Sequence, residues 1–157
     1  MTPPRNSSTV LLSLAFVAGM AIRLLPEILA GTNAIVGYDL VAYYAPLLYH
    51  KQLVLSDWRV LFAPPNYSPL IYVILLWVPR GFVFVSLRAV AVILYGLLSA
   101  GIFLFAEKRI GLEPKWALFA SIFICLQLPT LRIGWDLLKN TLAVALALII
   151  LSGSLTQ

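Results

Sequence analysis

FVFVSLRAVAVILYGLLSAGIFLFA, residues 82–106, decides the fold. A helix needs about 20 consecutive apolar residues to cross the hydrocarbon layer of a bilayer. This stretch exceeds that length, and its one charged residue, Arg88, falls in its first third. It reads as a complete membrane span. On its C-terminal side Glu107, Lys108, Arg109 and Lys115 form a short polar turn around Gly111 and Pro114. Residues 116–131 read as a further span in which the apolar run stops at Pro129, residues 132–140 as a polar loop, and residues 141–153 as a short last span.

On the N-terminal side, Pro69 and Pro79-Arg80-Gly81 bracket the apolar run 70–78. That run is too short for a perpendicular crossing and suits a re-entrant or interfacial segment. Before it, Leu40, Tyr43, Tyr44, Leu47 and Leu48 recur at i, i+3, i+4, i+7 and i+8, the spacing of an amphipathic helix lying along the interface. The tyrosines and Trp58 suit the headgroup zone. Residues 31–81 therefore read as a structured loop, and residues 8–29 as a first span. No small-residue cleavage site follows Val10–Ile22, so this is a retained span, not a removable signal peptide.

The composition agrees. Of 157 residues, 62% are hydrophobic and 11% charged, against about 25% charged in soluble domains; the mean hydropathy is +0.98. The expected fold is an all-α integral membrane protein of about four transmembrane helices, an interfacial amphipathic helix and a short re-entrant segment, forming a single module over 1–157. The net charge of +5 is scattered without a Lys/Arg run, which argues against nucleic-acid binding. Cys125 and His50 are each the sole residue of their type, which rules out a disulfide framework within the chain and a zinc site of the usual His/Cys kind.

Sidedness follows from the number of crossings. With four spans, Arg5, Lys108, Arg109 and Lys115 are cytoplasmic, as the positive-inside tendency favours. Asp39 and Asp136 then share the extracytoplasmic face of a plasma (inner) membrane. If 70–78 also crosses, they lie on opposite faces.

Two polar islands stand out, Gly37-Tyr38-Asp39 and Arg132–Asn140. Carboxylates beside membrane spans are costly to desolvate and are kept for pairing or chemistry. Asp39 is placed to act as a general base or to orient a hydroxyl, or simply to cap the helix beginning at Leu40. Asp136 has the same two readings, and could also pair with Arg132 at helical spacing. Arg132 and Lys139 suit a phosphate-bearing lipid or ordinary interface anchoring. Arg23 and Glu27, four apart, either snorkel together at the headgroup level or leave Arg23 facing a polar cavity and a phosphate.

The order of these features resembles the N-terminal part of GT-C class polytopic glycosyltransferases, such as protein mannosyltransferases, aminoarabinose transferases and oligosaccharyltransferase catalytic subunits. The resembling elements are a first span ending in Arg23 and Pro26, then Gly37-Tyr38-Asp39 with Tyr43-Tyr44 behind it. Pro64 to Leu70 (PPNYSPL) opens a short apolar segment, and Arg132 and Asp136 precede a last span beginning Leu-Leu-Lys-Asn. The resemblance implies transfer of a sugar from a polyprenyl-phosphate-linked donor to an acceptor on the extracytoplasmic face. It assigns Asp39 and Asp136 as catalytic, and Arg23, Tyr43, Arg132 and Lys139 as substrate-binding. No metal ligand set is implied. Relatives often pair acidic residues at the first position, whereas Asp39 stands between Tyr38 and Leu40, and a divalent metal stays an open option. Such enzymes carry more spans, so the resemblance also implies a truncated chain, inactive alone, whose partners are a C-terminal half or another membrane subunit. The alternatives are a non-catalytic small membrane subunit and a transporter fragment.

Overall fold

Long apolar runs become helix, since a helix satisfies its own backbone; the computed structural model describes residues 5–31, 37, 42, 44–61, 73, 75–136 and 138–153, most of them helical. Among them there is no strand. Helix α1 spans Arg5–Ala30 and stops at Gly31, whose φ of 80° only glycine adopts without strain. Two helices are long and apolar enough to cross a membrane, the one covering Ser7–Leu29 and the one within Arg80–Ile110.

The amphipathic segment differs from its expected form. It is two short helices, α2 Ala45–Tyr49 and α3 Lys51–Ser56, parted at His50. Pro46 sits in the first turn of α2, where proline is tolerated. Tyr44, Ala45 and Leu48 are buried, so the part of the apolar stripe that is described does face inward; Leu40 and Tyr43 lie outside the described residues. Of the run 70–78, residues 73 and 75–78 are described. They finish in a turn, Val78 N–H donating to Leu75 O at 3.0 Å. Lys51 Nζ holds that turn through the carbonyls of Leu76 and Val78, at 3.5 and 3.4 Å.

Helix α4, Val83–Phe105, is the central pillar, burying Leu87, Ala91, Tyr95, Leu98, Ser99 and Phe103. Helices α5 Pro114–Cys125, α6 Leu128–Asp136 and α7 Leu138–Gly153 follow. Helix α1 runs antiparallel to α4, and α7 runs parallel to it. Near one end Ser8 Oγ donates to Glu107 at 2.6 Å and Arg109 Nε donates to Leu151 O. At the other end Arg88 reaches Gly31, and Leu138 shares a core with Leu87 and Ala91. We call these the turn end and the loop end. Small residues let the backbones approach: a Cβ on Gly19 would lie 2.6 Å from Ser99 Cβ and 2.8 Å from Tyr95 O.

Two expectations for the C-terminal third need correction. The span placed at 116–131 is two helices with a break at Leu126-Gln127, and the loop placed at 132–140 is helical on both sides of residue 137. The reason is Pro129. It lies in the first turn of α6, where its missing N–H would have had no partner within the helix anyway, so it starts a helix here.

The outer surface is apolar. Val10, Leu14 and Val17 on α1, Trp116, Phe119 and Phe123 on α5, and Val144, Leu146 and Ile150 on α7 are all exposed. In water such a surface is an aggregation liability; against acyl chains it costs nothing.

Candidate functional site

The loop end gathers the charge that the apolar helices carry. Glu27 and Arg23 lie one turn apart near the end of α1, and Arg23 Nη1 donates to Glu27 Oε1 at 2.7 Å. On the other flank Arg88, from the first third of α4, brings its Nε to 3.3 Å from Glu27 Oε2. One carboxylate thus lies between two guanidiniums. Arg23 is 0% exposed and Glu27 5%, whereas the Arg88 side chain retains 20%. Snorkelling to the headgroups is excluded for Arg23: its guanidinium is inside the protein.

Each arginine also serves a helix terminus. Arg88 Nη2 donates to Gly31 O at 3.0 Å, at the residue that ends α1. Arg23 Nε donates to Gly134 O at 3.3 Å, in the last turn of α6 and 111 residues along the chain. Carbonyls in a final helical turn lack partners within that helix, and positive charge is favoured there. Gly134 is required for the approach, because a Cβ at that position would fall inside the Tyr95 ring. The first helix, the central helix and the second polar island are therefore joined through the Arg23–Glu27–Arg88 cluster.

Below this cluster a single apolar core receives both polar segments. Tyr44 just before α2, Ala45 and Leu48 within it, and Leu75 from the turn pack with Val83, Leu87, Ala91 and Leu94 of α4 and with Leu138 at the start of α7. Tyr49 and Phe84 add a tilted ring pair with centroids 5.7 Å apart.

The six residues singled out from the sequence fare unequally. Arg23 joins the buried cluster. Arg132 is exposed on α6 and Lys139 half-buried on α7. Asp136 closes α6, two residues after the Gly134 anchor, with its side chain outside the described residues. Asp39 and Tyr43 lie outside them altogether. Among the described residues no group of three His, Cys, Asp or Glu side chains is placed to hold a metal ion.

Comparison of the chain with protein-family models, with curated proteins and with solved structures finds no match. The site therefore has to be read from its own chemistry. Sequence reasoning missed Arg88 and Tyr95 as parts of it. For Arg88 the signal was available, since a lone arginine inside an apolar span needs a partner, and Glu27 was the nearest acid to a span that could supply one. Tyr95 gave no such signal, since nothing in its local pattern separates a buried tyrosine with a task from one that fills space.

Proposed function

We propose that this chain is a membrane-embedded glycosyltransferase module that uses a polyprenyl-phosphate-linked sugar, with four crossings and its loop end on the extracytoplasmic face. The observation that carries the reading is the Arg23–Gly134 hydrogen bond. A reaction sharing two aspartates from loops about a hundred residues apart requires the end of the first span and the second island to meet, and this bond supports that requirement.

The crossings are α1, α4, the pair α5 and α6 taken together, and α7. Helix α5, with 12 residues, is about 18 Å long and cannot span about 30 Å of hydrocarbon by itself, but α5 and α6 in series can. In the proposed mechanism Asp39 deprotonates or orients the acceptor hydroxyl as it attacks the anomeric carbon, and Asp136 serves as the second acidic residue. Arg132 and Lys139 meet the donor phosphate, with Tyr43 on the sugar or lipid. Arg23 keeps a supporting role, because both of the bonds described above hold protein to protein. A charge-assisted clamp on the leaving phosphate needs no metal.

The discontinuous α5–α6 crossing also brings transport to mind, since broken helices in transporters offer free carbonyls to ions. Here four carbonyls leading into the break already accept hydrogen bonds. Leu126 N–H donates to Ile122 O at 3.0 Å and Gln127 Nε2 to Phe123 O at 3.2 Å. Gln127 N–H donates to Ile124 O at 3.1 Å and Tyr95 OH to Cys125 O at 2.6 Å. Carbonyls occupied in this way favour a scaffold for a site over an ion path.

The test has two arms. Impermeant-thiol labelling of single cysteines at positions 39, 108 and 136, in a Cys125→Ser background, should mark 39 and 136 from outside and protect 108. Protection of 136 with labelling of 39 and 108 sinks the shared site. In the intact protein supplied with a radiolabelled undecaprenyl-phosphate-linked hexose, Asp39→Asn should abolish transfer at unchanged expression. Retained transfer removes Asp39 from the chemistry.

A further inference from the structure

The break between α5 and α6 lies against the middle of α4, and its repair comes from one residue of that helix. In an unbroken helix the carbonyl of Cys125 would accept from the N–H of residue 129. Residue 129 is proline and has no N–H. A buried carbonyl without a donor is costly, and in hydrocarbon no water replaces the missing bond. The Tyr95 hydroxyl takes that place, donating to Cys125 O at 2.6 Å from a residue that is 0% exposed. Gln127 carries out the same repair two residues back, its side-chain amide serving Phe123 O while its N–H is diverted to Ile124 O. Leu131 N–H then donates to Gln127 O at 2.9 Å and opens the next helix.

Tyr95 also sets where α6 goes. Its ring fills the space that any side chain at Gly134 would need, so the last turn of α6 seats directly on it, and the same turn is held from α1 by Arg23. One side chain thus ends α5 with its hydroxyl and receives α6 with its ring. We propose that Tyr95 and Pro129 form a matched pair that positions the second polar island: the proline opens the helix, and the tyrosine closes the resulting vacancy and fixes the direction of the segment carrying Arg132 and Asp136. Tyr95 is a positioning residue in this proposal, which stands whether or not the protein transfers sugars.

The pairing makes a prediction that space-filling alone does not. If the hydroxyl stands in for the missing N–H, restoring that N–H should make the hydroxyl dispensable. The experiment compares Tyr95→Phe, Pro129→Ala and the double variant in a Cys125→Ser background, with nitroxide labels at position 119 on α5 and position 132 on α6, both exposed. Electron–electron resonance distances read the relation of the two helices directly. The parent should give one narrow distribution and Tyr95→Phe a broader one. Pro129→Ala should shift the distribution toward the separation of a straight helix, about 20 Å along the axis, and Tyr95→Phe should then change nothing further. In unfolding by SDS from mixed micelles, Tyr95→Phe should cost about ten-fold in the equilibrium constant beside Pro129 and less than about two-fold beside alanine.

An unchanged distribution in Tyr95→Phe overturns the proposal, as does an equal effect in both backgrounds. Should Tyr95→Phe prove too unstable to isolate, the double variant decides: recovery of folded protein upholds the pairing, and equal failure refutes it. Glycosyl transfer is not measured, so the outcome is independent of the functional reading above.

Discussion

Both ends of the bundle carry charge, but they use it differently. At the loop end Arg23, Glu27 and Arg88 are drawn inside, with Glu27 5% exposed, and their bonds join α1, α4 and α6. At the turn end the Lys115–Glu113 pair, 3.0 Å apart, leaves its side chains 69% and 68% exposed and links neighbours in the chain. Two longer ties at that end, Ser8 to Glu107 and Arg109 to Leu151 O, fasten helix termini without a buried ion pair. The difference separates charge that holds distant segments together from charge that stays at the protein surface. Desolvating an ion pair is expensive, so it is stable only where each member is well paired and bonded, and removing one member is then severe.

The largest effect should therefore follow Glu27→Ala. It leaves two guanidiniums facing each other across a vacated carboxylate, at an expected cost of about 3–5 kcal/mol. SDS unfolding in mixed micelles would measure it. A cost below about 1 kcal/mol would make the loop end no different in kind from the turn end, and the comparison would fail. Gly134→Ala comes next. The added methyl has to displace the buried Tyr95 ring, and overpacking of this kind costs about 1–3 kcal/mol. Because the same turn carries the carbonyl that Arg23 holds, Gly134→Ala and Glu27→Ala should be non-additive, and additivity would separate the ring contact from the charge cluster.

How much of this was legible in the sequence depended on the range of the interaction involved. Apolar length alone located α1 and α4, because a helix in hydrocarbon is a local solution that satisfies its own backbone. The i, i+4 spacing of Arg23 and Glu27 likewise placed them together. Pro129 misled: in isolation it reads as the end of a span, whereas here it opens α6 directly after α5, and the tertiary partner Tyr95 caps the break between them. The polar loop assigned to 132–140 is helical for the same reason: its polar residues sit on α6 and the start of α7, and the Arg132–Asp136 spacing was the one helical signal they gave. Burial of Arg23 was equally illegible, because headgroup exposure and pairing with Arg88 require the same residue at the same position. Asp39 and Tyr43 stay as the sequence leaves them, outside the described residues.

Two glycines give a matched comparison of the ends. Gly31 closes α1 at the loop end with φ 80°, and Gly111 closes the turn after α4 at the other end with φ 79°. Neither has an atom within 4 Å of where a Cβ would lie, so alanine at either position meets only the backbone penalty, about 1 kcal/mol. Their difference is then informative. Gly31 O accepts from Arg88, so any excess cost of Gly31→Ala over Gly111→Ala in SDS unfolding reports coupling of the chain terminus of α1 to the charge cluster. Equal costs would show that the Arg88 bond adjusts freely to a shift in that carbonyl.

The smallest effect tests the other half of the comparison. Glu113→Gln removes the carboxylate from the exposed pair with Lys115, and exposed pairs of this kind contribute about 0–1 kcal/mol, screened further by salt. Lys115 also lies 6.0 Å from the Trp116 ring centroid, a contact the substitution leaves in place. The unfolding midpoint should hardly move, and it should move no more in low salt than in high by more than a few tenths of a kcal/mol. A larger, salt-insensitive loss would mean that Glu113 sits in a low-dielectric setting once the chain is in its bilayer. The turn end would then be a second clamp, and the contrast drawn between anchoring and holding charge would have to give way to one between two buried networks.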